Sequence, residues 1–400
     1  EQDLYYCQGP VNLGRLEAIP ELVERADLKF PAFRPRIPER LRQSENIFST
    51  IAEGDILLHH PYESFAPFIE MLHQAASDPK VVSIRQTLYR TGAESGVANA
   101  LLKAARAGKD VLVVIELRAR FDEAANIELA NALQAAGAQV VYGVVGHKTH
   151  AKMCMIIRRE GRRLVRYVHL GTGNYHERTA RAYTDYGLLS SDQDLGQDVQ
   201  KIFQQIAALG KAGKLRAILQ SPFTLYSGVL ELIEVQRQKA LQGEPALIQA
   251  KMNALTEPSV IRALYSASQA GVHVDLIIRG ICCLRPGVKG VSENIRVRSI
   301  VGRFLEHMRV YCFGVDDERE VYLSSADWMD RNLFRRVEAC FPVRDVALAK
   351  RVYREAITNY LNDNTQAWEL TSDGSYRKFK GRGKPHTAQG ALMMELTEHA

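Results

Sequence analysis

Long apolar runs and a strong excess of one charge are both missing from this sequence. No stretch of eighteen apolar residues occurs and no basic-then-apolar segment opens the chain, so neither a membrane-spanning helix nor a secretory signal is predicted. The net charge of +6 is modest for 400 residues. It favours an anionic partner without distinguishing nucleic acid, phospholipid and inorganic polyanions. We therefore expect a cytoplasmic protein, with peripheral association with a membrane left open.

Cysteines at the spacing of metal ligands are missing as well. The six cysteines stand inside apolar stretches: Cys7, Cys154, Cys282, Cys283, Cys312 and Cys340. Cys282 and Cys283 are adjacent, which is poor geometry for a mutual bridge. The pattern predicts reduced core thiols rather than disulfides or a metal cluster.

Length and hydrophobic content indicate more than one domain. A chain of 400 residues with 46% hydrophobic content is long enough for two or three domains. It begins at Glu1 without an initiator methionine, so we expect a piece of a longer protein. Residues 1–45 contain five prolines and are predicted to connect to an upstream domain. Residues 366–400 are predicted to be a basic C-terminal tail, mobile from Thr371 onward, where the chain turns rich in glycine, lysine and arginine.

A repeat organises the rest of the chain. Val97–Val111 and Val260–Val274 carry the same residue at seven equivalent positions. Each has apolar residues at helical spacing, ends at a glycine suited to a helix C-terminus, and leads into a buried-strand run. This predicts two related α/β halves at residues 46–195 and 251–365, separated by a helical linking segment at 196–250. Short strands are predicted to follow at Val140–Val145 and Arg296–Ile300.

Each half contains one histidine two residues before a cation. These are His150 with Lys152 and His307 with Arg309. On a strand, residues two apart point to the same face. The repeated pair predicts a symmetric cleft that offers a nucleophile, a proton donor and cations for phosphate. The cation also lowers the pKa of the neighbouring imidazole from about 6.5, which keeps the ring neutral and nucleophilic.

Three arginines stand at the ends of predicted strands. Arg90 follows QTLY, Arg120 follows VLVVIEL, and Arg279 follows VDLII. Ligands of α/β sheets collect at the carboxyl ends of strands, and guanidinium groups match phosphate oxygens. We expect these arginines to bind an anion.

The paired motif resembles that of the phospholipase D superfamily, whose signature is His-x-Lys, then an Asp, then a Gly-Ser-x-Asn turn. This chain departs from the signature at three places. The residue five after Lys152 is Ile157, the second pair uses Arg309, and the turns read GTGN and SSAD. These departures argue against phosphodiester chemistry on lipid or nucleic acid.

A more specific resemblance is to the first family of polyphosphate kinases, which carries this fold twice. Nine blocks occur in the family's order from residue 4 to about residue 340: YYCQGPVNLGRL, GDILLHHPYESF, QTLYRTG, ELRARFDEAANIELA, KTHAKM, HLGTGNYHERTARAYTDYGLL, IIRGICCL, FLEHMRVYCF and YLSSADWM. The resemblance implies two related phospholipase D-like α/β domains, each a mixed sheet flanked by helices, with the catalytic cleft between them.

The resemblance also implies roles for individual residues. His150 corresponds to the histidine that becomes phosphorylated. Arg90 and Arg120 correspond to a magnesium and phosphate site. Because arginine has no lone pair for a metal, we expect these two to hold phosphate oxygens that themselves bind Mg²⁺. The nucleotide site corresponds to Tyr183, Arg279 and His307.

The implied activity is reversible transfer of the ATP γ-phosphate to the end of inorganic polyphosphate through a phosphohistidine. ATP or ADP and Mg²⁺ are the implied substrate and cofactor, a homo-oligomer is expected, and no nucleic-acid partner is expected. Two alternatives stay open: a phospholipase D-like phosphodiesterase, and a truncated, inactive module that binds polyanions.

The surroundings of the two histidines predict different roles. Glu306 should point to the opposite strand face from His307, which leaves Asp327 as the carboxylate expected to raise the pKa of His307. His150 is therefore predicted to be the neutral nucleophile, and His307 its more basic, proton-carrying partner.

Overall fold

The computed structural model describes residues 6, 8–89, 95–116, 123–143, 146–208, 213–381 and 383–398. Residues before 46 form only short elements: 3-10 helices Leu13–Ala18 and Ala26–Leu28, helices α1 (Ile19–Leu22) and α2 (Glu39–Arg42), and strand β1 (Arg34–Pro35). None of the described residues before Ile47 is buried. This segment therefore contributes no core of its own.

The first half is built on a mixed sheet. Its strands are β2 (Ile56–His60), β3 (Val81–Leu88), β4 (Asp110–Ile115), β5 (Gln139–Val141), β6 (Lys148–Thr149), β7 (Lys152–Glu160), β8 (Arg163–Gly171) and β9 (Tyr183–Ser190). The sheet order is β2–β9–β8–β7–β3–β4–β5. Strands β3, β4 and β5 run parallel, and the other neighbours pair antiparallel.

Helices accompany these strands in the chain: α3 (Ile47–Ala52), α4 (Ala66–Ser77), α5 (Gly96–Arg106), α6 (Glu123–Ala135), α7 (Glu177–Ala182) and α8 (Gln193–Ala208). Helix α5 shows why the sequence folds in this way. Ser95 Oγ accepts a hydrogen bond from the Ala98 amide at 3.1 Å, which is a standard helix start. Gly108, with φ of 76°, ends the helix in the left-handed conformation that favours glycine.

The second half repeats this plan. Its strands are β10 (Leu219–Ser221), β11 (Leu247–Met252), β12 (His273–Ile278), β13 (Ile295–Ile300), β14 (Leu305–Glu306), β15 (Arg309–Phe313), β16 (Glu320–Ser324) and β17 (Arg336–Pro342). The order β10–β17–β16–β15–β11–β12–β13 matches the first sheet strand for strand. The predicted α/β class with two related halves is confirmed.

The helices of the second half are α9 (Leu225–Leu241), α10 (Pro258–Gln269), α11 (Asp330–Phe334), α12 (Val346–Tyr353) and α13 (Asn359–Leu361), with a 3-10 turn at Asp316–Glu318 and a π-helical turn at Arg354–Thr358. Helix α10 is the counterpart of α5 and is likewise followed by a glycine of positive φ, Gly271. The segment at 196–250, predicted to be helical, also contains β10 and the start of β11.

The prediction of a basic tail at 366–400, mobile from Thr371 onward, is wrong. Strands β18 (Ala367–Leu370) and β19 (Tyr376–Lys378) extend the second sheet beyond β13. Helix α14 (Ala388–Leu396) buries one face, and β20 (Thr397–Glu398) pairs with β1. The basic composition of 376–384 concealed the apolar residues that follow, among them Leu392 and Leu396, which join the core.

Two short strand pairings and a common core join the halves. Strand β6 of the first half pairs with the start of β17 in the second, and β14 of the second half pairs with the start of β9 in the first. One hydrophobic cluster includes buried residues of both halves, such as Val168, Phe203, Val310 and Phe341. The halves therefore pack as one body around these crossings.

Three of the cysteines lie in the core as predicted: Cys154, Cys312 and Cys340. Cys282 is half-buried, Cys283 is exposed, and Cys7 lies outside the described residues. All five described cysteines are free. No helix within the described residues is long and apolar enough to cross a membrane.

Candidate active site

His150 lies between β6 and β7, where the chain leaves one sheet and enters the other. The backbone amides of His150 and Ala151 both donate to the Val337 carbonyl, at 2.9 and 2.8 Å. The His150 Nδ1 lies 2.8 Å from Oε2 of Glu338, a fully buried residue of β17. The carboxylate that orients this histidine therefore comes from the opposite half.

His307 has the same arrangement with the halves exchanged. It lies between β14 and β15, its amide donates to Thr184 Oγ1 at 3.2 Å, and its Nδ1 lies 2.8 Å from Oδ2 of Asp185 on β9. The prediction that Asp327 is its carboxylate is wrong, because Asp327 pairs with Arg309 instead. The sequence predicts each histidine within a continuous strand, but each lies in the break between two strands.

The strand crossings explain these exchanged partners. Strand β6 aligns with Arg336 and Val337, and the next residue of β17 is Glu338. Strand β14 aligns with Tyr183 and Thr184, and the next residue of β9 is Asp185. Each histidine is the residue directly after its crossing strand. The crossing thus sets the imidazole beside the acid of the other half.

Small polar turns hold the two acids in place. Thr172, in the GTGN turn, donates to Asp185 Oδ1 at 2.6 Å. Ser325, in the SSAD turn, donates to Glu338 Oε2 at 2.5 Å, and Asn332 donates to the other oxygen at 2.6 Å. Each turn therefore supports the histidine of the opposite half through its acid.

Burial and the neighbouring cations together keep the His150 imidazole neutral. Burial lowers the pKa of His150 well below its ordinary value, and the charges of Lys152 and Arg336 lower it further. This agrees with the prediction of a neutral imidazole. Burial also lowers the pKa of Lys152 to about 7, against the opposing charge of Glu338. The Lys152 ammonium donates to the His150 carbonyl oxygen.

Arg309 makes hydrogen bonds both with Asp327 and with His307. Its guanidinium donates to Asp327 at 3.2 and 3.0 Å and to the His307 carbonyl at 2.9 Å, and its Nη1 lies 3.2 Å from His307 Nε2. Burial lowers the pKa of His307 although Asp185 opposes the shift. The prediction of a raised pKa is therefore wrong, because burial outweighs the carboxylate.

The predicted nucleotide residues lie around His307. The Tyr183 ring lies 5.2 Å from the His307 ring, measured between centroids, at an angle of 53°. Arg279 follows β12, and its buried Nη1 has no hydrogen-bond partner within the described residues. Burial and the nearby charge of Arg309 both lower the pKa of Arg279. An unpartnered guanidinium beside a second cation is suited to a phosphate.

Arg90 and Arg120, predicted to hold phosphate and magnesium, lie outside the described residues. The residue before Arg90 is described: the Tyr89 ring packs edge-on against His150, with centroids 5.2 Å apart. The same ring lies 5.1 Å from the Lys148 ammonium. The end of β3 therefore reaches the His150 site.

Sequence reasoning missed five residues of this site: Arg336, Asp185, Glu338, Thr172 and Ser325. Asp185 stands two residues after the predicted Tyr183, so the two-residue period of a strand could have suggested it. No comparable signal marked Arg336 and Glu338, because they reach His150 only through the crossing of β6 with β17.

The two repeated mixed sheets, with a histidine–acid pair crossing between them in each direction, are those of a two-domain α/β protein of phospholipase D-like fold. Two family models match it in succession, polyphosphate kinase C-terminal domain 1 over residues 46–212 and polyphosphate kinase C-terminal domain 2 over residues 218–389. The chain belongs to the polyphosphate kinase family and carries its two C-terminal domains.

Individual relatives agree. A polyphosphate kinase of Xylella fastidiosa (strain Temecula1) is 57% identical over 398 residues, covering 99% of this chain and 57% of the relative. The crystal structure of polyphosphate kinase from Porphyromonas gingivalis matches with a TM-score of 0.87 and 34% identity, over 94% of this chain and 58% of that chain. Phosphatidylserine synthase of Haemophilus influenzae (TM-score 0.50, 13% identity, 80% of this chain and 88% of that one) shares the fold alone. The chain thus spans a little over half the length of the polyphosphate kinases that it matches.

Proposed function

We propose that the protein transfers the γ-phosphoryl group of ATP to the end of inorganic polyphosphate, reversibly, through a phosphohistidine at His150. The observation that supports it most is the state of that histidine. Its Nδ1 is held by Glu338, its pKa is well below the ordinary value, and its Nε2 makes no hydrogen bond within the described part of the chain. A neutral imidazole with an open Nε2 among cations is suited to attack on phosphorus.

In the first step, the lone pair of His150 Nε2 forms a bond to the γ-phosphorus while the bond to the bridging oxygen of ADP breaks. ADP leaves with the electron pair of that bond. Lys152 and Arg336 offset the charge of the phosphoryl oxygens, and positioning with charge neutralisation is the main requirement of phosphoryl transfer. Glu338 stabilises the proton on Nδ1 as the ring becomes cationic.

In the second step, a terminal oxygen of polyphosphate attacks the phosphorus and the nitrogen–phosphorus bond breaks. The ring returns to its neutral state with the proton on Nδ1. In this proposal His307, Arg279 and Tyr183 bind the leaving ADP or the incoming chain end. The bonds broken and formed are both phosphoanhydrides, so the reaction is expected to run in either direction.

The fit of Mg²⁺ was tested on the described residues. They contain no cluster of three His, Cys, Asp or Glu side chains that could hold a metal. The carboxylates of Asp185, Glu338 and Asp327 are each bound by a histidine or an arginine. The described residues thus do not form a direct magnesium site, and Mg²⁺ would be held by the phosphates of the nucleotide rather than by these side chains. That Arg90 and Arg120 hold those phosphates stays a prediction, as do the cytoplasmic location and the homo-oligomeric state.

Incubation of the chain with ATP labelled in the γ-phosphate tests the proposal. Acid-labile, alkali-stable label on the protein is expected, and it should be absent from His150→Ala. Release of an alcohol or nucleotide from a phosphodiester, without label on the protein, would favour the phosphodiesterase instead. Binding of polyphosphate without either reaction would indicate a binding module.

A further inference from the structure

Gln389 is a buried glutamine in the first turn of α14, far along the chain from either histidine. Only 2% of its surface is exposed. Its Oε1 accepts from the Phe304 amide at 2.9 Å, and its Nε2 donates to the Phe304 carbonyl at 2.9 Å and to Glu306 Oε1 at 2.5 Å. The side-chain amide of Gln389 thus binds the backbone NH and C=O of Phe304 and the carboxylate of Glu306.

The segment that Gln389 binds, residues 304–306, leads directly to His307. The second oxygen of Glu306 accepts from Lys251 at 2.5 Å and from Thr184 Oγ1 at 2.9 Å. Thr184 Oγ1 in turn accepts from the His307 amide at 3.2 Å. A continuous set of buried hydrogen bonds therefore runs from Gln389 to the backbone of His307, whose ring is held by the residue after Thr184.

The position of the amide is itself fixed. The Ala388 amide donates to Asp363 Oδ2 at 2.7 Å, and Asn359 donates to the Ala388 carbonyl at 3.0 Å, so α14 is attached to the helix before it. Gly302 packs so closely that a Cβ added there would lie 2.5 Å from Gln389 Oε1. A shift of the Gln389 amide would therefore disturb the hydrogen bonds of Ala388 or the contact with Gly302.

We infer that Gln389 is a positioning residue for His307, and that α14 is therefore a structural part of the active site. The inference rests on the proposed function for its kinetic consequence, although not for its structural one. Without the amide, Glu306 Oε1 and the Phe304 peptide groups are left buried and unpaired, which the segment can relieve only by moving. A displacement on the order of 1 Å at a reacting group can cost about 100-fold in rate.

The test compares Gln389→Met with Gln249→Met. Gln249 is also buried and donates to Asp275 at 3.0 Å in the second sheet, and its side chain makes no hydrogen bond with the described segment at 302–307. Both changes remove a buried amide and keep the length of the side chain. Thermal unfolding, the titration of His307 followed by NMR, and transfer from the phosphorylated enzyme to polyphosphate are measured for both. The His307→Ala variant assigns the NMR signal.

Gln389→Met is expected to shift the titration of His307 and to slow transfer by about tenfold or more, while phosphohistidine still forms to its usual extent. Gln249→Met should lower thermal stability without either effect. Equal effects of the two variants, or an unshifted His307 titration in Gln389→Met, would overturn the inference.

If Gln389→Met does not fold, Gly302→Ala displaces the same amide and takes its place. Wild-type protein that transfers nothing would refute the proposed function alone, because the NMR titration still decides the role of Gln389.

Discussion

At the scale of single residues, the hydrogen bond at Nδ1 decides which ring nitrogen of each histidine is available. A proton held between Nδ1 and a carboxylate leaves the lone pair on Nε2. Glu338 does this for His150, and Asp185 does it for His307. The two acids differ in their own surroundings: burial raises the pKa of Glu338, whereas His307 holds the pKa of Asp185 below its usual value despite burial.

Separate substitution of the two acids should therefore separate the two steps. Glu338→Gln is expected to slow the labelling of His150 by about 100-fold or more, the scale of losing a carboxylate that orients a catalytic histidine. Asp185→Asn should reduce turnover severely while phosphohistidine still accumulates during long incubation with ATP. Quantified acid-labile label and steady-state polyphosphate synthesis distinguish the variants. Identical behaviour of the two would contradict the assignment of roles.

The pKa of Lys152 predicts a pH dependence. Burial lowers this pKa to about 7, so the ammonium loses its charge as pH rises through that value in the free protein. The rate of labelling at subsaturating ATP, which reports the free enzyme, should fall on the alkaline side of about pH 7. His150 should add no acid limb near its ordinary pKa, because its pKa lies well below that value.

The variant Lys152→Arg tests this origin of the alkaline limb. Arginine keeps its charge, so the alkaline limb of the variant should move to higher pH. An alkaline limb at the same pH in both proteins would rule out Lys152 as its origin.

At the scale of elements, the repeat was predictable and the crossings were not. Helices α5 and α10 are visible in sequence because helical spacing and a closing glycine are local signals. The acids of β9 and β17 bind histidines that are more than a hundred residues away in the sequence. The strands β6 and β14, which bring each histidine to its acid, have only two residues each, too few to show the alternation of polar and apolar residues that predicts a strand. Chain-local patterns therefore located both histidines but could not pair either with its acid.

The GTGN turn offers a prediction at this scale. A Cβ added at Gly173 would lie 2.2 Å from Asp185 Oδ2, far inside van der Waals contact. Gly173→Ala should push the carboxylate away from His307 and cost about 1–3 kcal/mol of stability, as overpacking does. Turnover should fall as severely as in Asp185→Asn. Gly213→Ala is the control, since nothing lies within 4 Å of its added Cβ. Normal turnover in Gly173→Ala would mean that the turn does not position Asp185.

At the scale of the whole molecule, the two halves form one site that neither half contains alone. Each histidine needs an acid from the other half, and the helix at the C-terminal end holds the segment before His307. The sequence predicts Lys152 beside His150 and Arg309 beside His307, and both contacts occur, but it assigns residues 366–400 to a tail. The error has a physical cause: basic residues at 376–384 dominate the composition, while residues that pack in the core, such as Ala367 and Leu392, stand on either side of them.

The lysine and arginine side chains beside the two histidines predict that polyphosphate binding depends strongly on salt concentration. Polyphosphate is a polyanion, and contacts with arginine and lysine weaken as ions screen them over a Debye length of about 8 Å at physiological ionic strength. Affinity measured by equilibrium binding should fall by about tenfold or more from low to physiological salt. Two salts of different anions at equal ionic strength separate screening from competition by one anion. A flat response would show that the basic site does not bind the chain.

The central claim is that His150 is the residue that carries the phosphoryl group. Its most direct test is peptide mapping of the protein after reaction with γ-labelled ATP, with digestion and separation kept alkaline so that phosphohistidine survives. Label is expected on the peptide that contains His150 and should be absent from His150→Ala. His147→Ala should retain most of it, because the residue two positions after His147 is Thr149 rather than a cation. Label found mainly on the peptide of His307, or retained in His150→Ala, would contradict the central claim.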